Sequence, residues 1–156
     1  MIDPLHLANT VLSRTWGAQG SINRMKLSRV MYLTAAHYRR ETGLDLFTER
    51  FLAWPYGPVL VSVHTGFAPS DAKGTGITRY AKDSAGQAWA LDPAPKVDLS
   101  IELVRVATAG LSAAELSKLT RAEHSPWRIA WDTTTKIIDP ADTIDEPALR
   151  ALGLGS

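Results

Sequence analysis

The stretch RMKLSRVMYLTAAHYRRE, Arg24 to Glu41, decides how the rest of the chain is read. Leu27, Val30, Met31, Thr34 and Tyr38 recur at intervals of three and four, the period of one face of an α-helix. Arg29, Ala36 and Arg40 lie roughly opposite. Gly43 follows the last periodic residue and supplies the left-handed stop at which many helices end. Tyr32 and Leu33 sit on the flanks of the apolar face. Either the helix is central and buried nearly all round, or that flank meets a partner; burial is the favoured reading.

Towards the N-terminus, Asp3-Pro4 pairs a cap residue with proline at the first helical position. Leu5, Ala8, Val11 and Leu12 then keep helical spacing until Gly17 and Gly20. Beyond Gly43, the segment from Phe47 to Pro58 is aromatic and turn-rich and ends in Trp54-Pro55-Tyr56-Gly57-Pro58. Gly57 is expected to allow a tight turn before Pro58 opens a helix. The run Val59 to His64 is ambiguous: its valines alternate as in a strand, yet Leu60 and His64 fit a helix. Pro69 to Gly76 reads as a loop. Ile77–Ala81 and Ala88–Leu91 flank Lys82 to Gly86, which predicts a short β-hairpin closed by Pro93 and Pro95.

A helix is expected from Asp98 to Ala109, with Ile101, Leu103, Val104 and Val106 as its apolar content and Gly110 as its stop. Ser112 and Glu115 form a capping box for the next helix, with Leu111 and Leu116 placed as a hydrophobic staple. Ser125-Pro126 repeats the cap-then-proline signal, and Trp127 and Trp131 share a face four residues apart. Asp145 is the candidate cap of a last short helix containing Leu149 and Leu152. The expected fold class is mainly α: a single compact helical domain with one small β-hairpin.

The 156 residues are 45% hydrophobic and 21% charged, ordinary values for a folded domain. Seventeen basic against sixteen acidic residues leave a net charge of +1, which lowers the expectation of a dedicated nucleic-acid binder. The absence of cysteine excludes disulfides, thiolate catalysis and cysteine-based zinc sites. The Met1-Ile2-Asp3-Pro4 start lacks the features of a signal peptide, and no apolar stretch approaches a membrane span. The expected location is the cytoplasm, with no membrane partner.

No constellation for chemistry converges. The histidines (His6, His37, His64, His124) lack a metal-binding spacing, and His37 with Glu41 reads mainly as a solvated helical pair. The serines lack a Gly-x-Ser-x-Gly elbow. Lys73-Gly74-Thr75-Gly76 lacks the order of a phosphate loop. Acidic pairs such as Glu41 with Asp45, or Asp142 with Asp145, have no apolar setting that would split their pKa values. No catalytic residue, metal or cofactor is therefore assigned. Arg14, Arg24, Lys26, Arg29, Arg39 and Arg40 concentrate positive charge early, most simply as the wet face of an amphipathic helix. Five tryptophans, by contrast, are the kind of residue that fills cores and anchors protein interfaces.

The ordered set Leu27-Ser28-Arg29-Val30-Met31-Tyr32, Gly43-Leu44-Asp45-Leu46-Phe47 and Ala53-Trp54-Pro55-Tyr56-Gly57-Pro58-Val59 resembles the Panacea domain. This is the SocA-like antitoxin domain, also called GepA-like and labelled phage-associated. Leu111 to Leu116, Leu119-Thr120 and Ser125-Pro126-Trp127 resemble its second motif region. Arg29 stands where lysine is common, and Arg121 where histidine is common. The resemblance implies a helix after the Tyr-Gly-Pro turn, which resolves the valine run.

It also implies one domain over 1–156, with a motif-bearing core from about 5 to 131 and a C-terminal extension, 132–156. The implied activity is neutralisation of a cognate protein toxin, usually encoded by an adjacent gene, through direct contact. Alternatives are an adaptor that delivers the toxin to a AAA+ protease, or a DNA-binding regulator of its own operon. Arg29, Tyr32, Arg40 and Tyr56 are the candidate partner contacts. Leu27, Met31, Trp54, Gly57, Pro58, Ser112, Glu115, Pro126 and Trp127 are expected to hold the fold.

Overall fold

The computed structural model describes residues 1–71 and 76–155, apart from the side chains of Pro69 and Ser70. Lys73-Gly74-Thr75 and part of the expected Pro69–Gly76 loop lie outside the described residues.

The first helix, α1 (Pro4–Gln19), starts where Asp3 accepts a hydrogen bond from the Leu5 amide, 2.8 Å. The second, α2 (Arg24–Thr42), is capped by Asn23 and stopped by Gly43 at φ 74°. It is the axis of the molecule: α1, a hairpin, four later helices and a 3-10 turn all pack on it. Leu27, Met31, Tyr32, Leu33 and Ala36 are buried on every side of it. The favoured reading of Tyr32 and Leu33 holds, whereas the polar face expected around Arg29 and Ala36 is interior too.

The described strands are β1 (Leu52–Trp54) and β2 (Gly57–Val59), antiparallel, with Leu52 opposite Val59 and Trp54 opposite Gly57. Pro55-Tyr56 is the two-residue connection. The outer edge of β1 is covered by a C-terminal segment: Ala53 N donates to Lys136 O at 2.8 Å, and Ile138 N to Phe51 O at 2.9 Å. Pro58 therefore lies in a strand instead of opening a helix. The next helix, α3 (Val61–Gly66), begins after Leu60, so the helical reading of the valine run is correct from Val61 onward.

The single hairpin is thus not at Ile77–Leu91. A turn does form there, with Asp83 N donating to Gln87 O at 2.8 Å, but its arms pair with α1 instead of each other. Asn9 Nδ2 donates to Ala81 O and to Trp89 O, and Asn9 Oδ1 accepts from Ala81 N. Thr10 Oγ1 accepts from Leu91 N at 2.8 Å. Backbone groups so satisfied have no need of a ladder.

Helix α4 (Pro95–Thr108) starts three residues earlier than expected, at the second of two nearby prolines. Helix α5 (Ala113–Thr120) carries the Ser112–Glu115 capping box, both bonds at 3.1 Å. Ser125 caps α6 (Pro126–Trp131), where Trp127 and Trp131 stack at 5.0 Å. A 3-10 turn at Pro140–Asp145 leads to α7 (Pro147–Ala151), capped by Glu146 and not by Asp145. The result is mainly α with one small hairpin. Among the described residues, no helix is long and apolar enough to cross a membrane.

Candidate partner-binding groove

The N-terminal half of α2, the tip of the β1–β2 hairpin, His64 of α3 and Asp71 enclose an open groove of about 570 Å³. The hairpin connection sets one wall locally, and contacts between distant segments set the others. A two-residue connection leaves Tyr56 at the tip, 64% exposed, and holds Trp54 against the body. The Trp54 ring meets His64 edge-on at 4.9 Å. Asp71 is fixed by the backbone amides of Arg24 (2.7 Å) and Gly76 (3.0 Å), and its carboxylate faces Arg24 Nε at 3.8 Å.

Arg29 forms the floor and is only 2% exposed. Nε donates to Ser117 Oγ at 3.2 Å, and Nη1 donates to Pro58 O at 3.0 Å. Nη2 has no hydrogen-bond partner and no carboxylate faces the group among the described residues. Burial first, and the neighbouring Arg121 guanidinium second, lower the Arg29 pKa to about 10. Gly57 explains how the guanidinium fits beneath the hairpin. A Cβ there would lie 2.5 Å from Arg29 Nε, and its φ of 139° suits only glycine. Arg121 bridges the same elements from outside, through Ser117 O and Pro55 O, each at 3.2 Å.

Of the other residues expected at a partner surface, Tyr32 is fully buried and donates to Glu146 Oε2 at 2.5 Å. Arg40 is half-buried, its guanidinium lying against Gly155. Tyr32 therefore lies wholly inside, Arg29 reaches the groove only as its floor, and Tyr56 alone of the four presents most of its side chain outward. Leu27, Met31, Pro58, Pro126 and Trp127 are buried. Trp127 Nε1 donates to Trp54 O at 2.8 Å, tying α6 to the hairpin.

Several of the early basic residues are paired or buried. Arg14 pairs with Asp98, Arg24 with Asp71 and Arg39 with Asp45, while Lys26 is buried. His37 is likewise interior, with Nδ1 2.8 Å from Ser100 Oγ and Nε2 3.8 Å from the exposed Glu41 carboxylate, so the expected pair forms but its imidazole is buried instead of solvated. Burial lowers its pKa. A separate exposed apolar line runs along α4: Leu99, Leu103 and Val106 are 56%, 37% and 60% exposed.

Two groups with clear roles escaped the sequence reading. Glu146 is fully buried, and burial raises its pKa to about 7 against the opposing pull of its hydrogen bonds. Asn9 staples the 81–91 segment. The local signal for Glu146 was its place before Pro147, a helix-start pattern; Asn9 carried none, being an isolated amide within an amphipathic helix.

Residues 27–128 match the family described as Antitoxin SocA-like, Panacea domain. Antitoxin SocA of Caulobacter vibrioides (strain NA1000 / CB15N) is 24% identical over 131 residues, covering 82% of this chain and 70% of that protein. No solved structure matches the chain.

Proposed function

The chain belongs to the SocA-like Panacea family of antitoxins, and from that premise we propose that it is a binding module, not an enzyme, that neutralises a cognate protein toxin by direct contact in the cytoplasm. The family match carries this reading. The matched span, 27–128, runs from the first turn of α2 through the hairpin and α5 into the start of α6, and Arg29 and Trp127 tie these elements together around one turn. That bracing supports Pro55-Tyr56 as a rigid recognition tip: a tyrosine on a fixed support binds at low entropic cost. A stable complex of this kind buries about 1,600 Å² in total, so the contact extends beyond the groove. We read 1–156 as one domain in this role.

The test is co-expression with the product of the adjacent reading frame. Relief of growth arrest and co-purification are expected, and Tyr56→Ala should weaken both without unfolding the chain. Absence of both in the unaltered protein would overturn the proposal. Loss of toxin from the cell only when a AAA+ protease is present would instead identify an adaptor.

A further inference from the structure

We propose that the groove above Arg29 is a carboxylate-binding pocket that receives a single acidic side chain of the bound protein, flanked by an apolar residue. This deepens the antitoxin reading and rests on it for the identity of the partner.

The argument begins with uncompensated charge. A buried cation is costly unless an anion or a full set of hydrogen bonds answers it. Arg24 has Asp71, whose two oxygens are also held by backbone amides. Arg29 has a hydroxyl and a carbonyl, which stabilise its direction but supply no negative charge. Among the groove-lining residues two guanidiniums face one carboxylate, Arg121 adds to the positive field from outside the groove, and Arg29 Nη2 makes no hydrogen bond to another described residue.

The same field is felt by His64: burial first, then Arg24 and Arg29, lower its pKa. The ring nitrogens of His64 make no hydrogen bond among the described residues, so a neutral imidazole stands ready as a second polar contact. Its ring is oriented by Trp54.

The walls select the source of the carboxylate. Met25, Trp54, Pro55, Tyr56 and Val59 supply the apolar and aromatic walls of the groove beside its charged residues. That is the composition of a protein hot spot, in which rings exclude water from a central charged pair. A phosphate would bring about two negative charges to stand beside the fixed Asp71 carboxylate. A bare anion would also leave the rings unused.

The test uses the full chain and blocked tripeptides of known composition. Acetyl-Phe-Glu-Leu-amide and its Gln counterpart are titrated against the 15N-labelled protein, with inorganic phosphate as a third arm. The Glu peptide is expected to shift the Arg29 Nε–H and His64 ring signals and to bind about tenfold more tightly than the Gln peptide. Arg29→Gln should abolish that preference, and His64→Gln should reduce it.

Equal binding of the two peptides, or shifts that avoid Arg29, would overturn the proposal even if the Arg29 variant does not fold. Phosphate producing the same shifts with the same affinity would also overturn it, leaving a general anion site. Failure here leaves the growth-rescue assay untouched, so the two readings fail separately.

Discussion

At Gly57 two constraints coincide: a positive φ of 139° and an Arg29 side chain 2.5 Å from where a Cβ would stand. Gly57→Ala is expected to destabilise the protein by at least about 2 kcal/mol, combining backbone strain with overpacking. In an Arg29→Met background the overpacking is relieved, so the same change should cost less. Denaturant titration of the unaltered protein, the two single variants and the double variant checks this, and strictly additive costs would show that the two residues are not energetically coupled.

Glu146 supplies a pH-dependent counterpart. Its folded pKa of about 7 lies above the ordinary carboxyl value of 4.5, so the folded state binds the proton more tightly than the unfolded one. The stability due to this carboxyl is fully present below pH 4.5 and is lost as the pH rises through about 7. Tyr32, whose pKa is raised by burial and by Glu146, stays a neutral donor across that window. Glu146→Gln keeps the shape and removes the titration. Relative to the unaltered protein it should gain stability between pH 5 and pH 8, by up to about 3 kcal/mol. An unchanged difference in unfolding free energy across that range would exclude this account.

At the scale of elements, the 77–91 segment has no ladder of its own and depends on α1. Asn9 makes three hydrogen bonds to it and Thr10 a fourth. Asn9→Ala leaves the Ala81 amide and carbonyl without partners, at a cost of about 1–3 kcal/mol. Because the segment is otherwise largely exposed, the loss should be local. Hydrogen exchange at the Ala81 and Leu91 amides is expected to quicken while amides in the middle of α2 keep their protection. Uniform quickening would mean that the segment opens only with the whole fold. The capping box of α5 is the opposite case, since all its partners lie within four residues of each other.

For the whole molecule, the residues after Trp131 complete the core instead of trailing from it. Ile138, Ala148 and Leu149 are buried, the 136–138 backbone covers β1, and Glu146 is bonded to Tyr32 at the centre of α2. A chain ending at residue 131 should therefore lose its cooperative thermal transition. A melt followed by circular dichroism that matched the full chain would make the C-terminal segment an appendage. The exposed α4 line contrasts with this: Leu103→Lys should change stability by no more than about 0.5 kcal/mol, whereas Ile101→Ala, on the buried face, should cost about 2–5 kcal/mol.

What could be read in the sequence was what depends on near neighbours. Helix starts at Asp3-Pro4, Ser112 and Ser125, the stop at Gly43, the mainly α class and the ordered family motifs all rest on residues a few positions apart. The position of the hairpin, the burial of Arg29 on the polar side of α2 and the groove were not legible there. Each depends on a partner far along the chain: Asn9 for Ala81 and Trp89, Ser117 and Pro58 for Arg29, Glu146 for Tyr32. An arginine in a helix reads as a solvated charge until folding brings up the oxygen atoms that hold it inside. Periodicity reports which faces exist, but burial of polar groups is decided by satisfaction at a distance, and only the tertiary structure provides it.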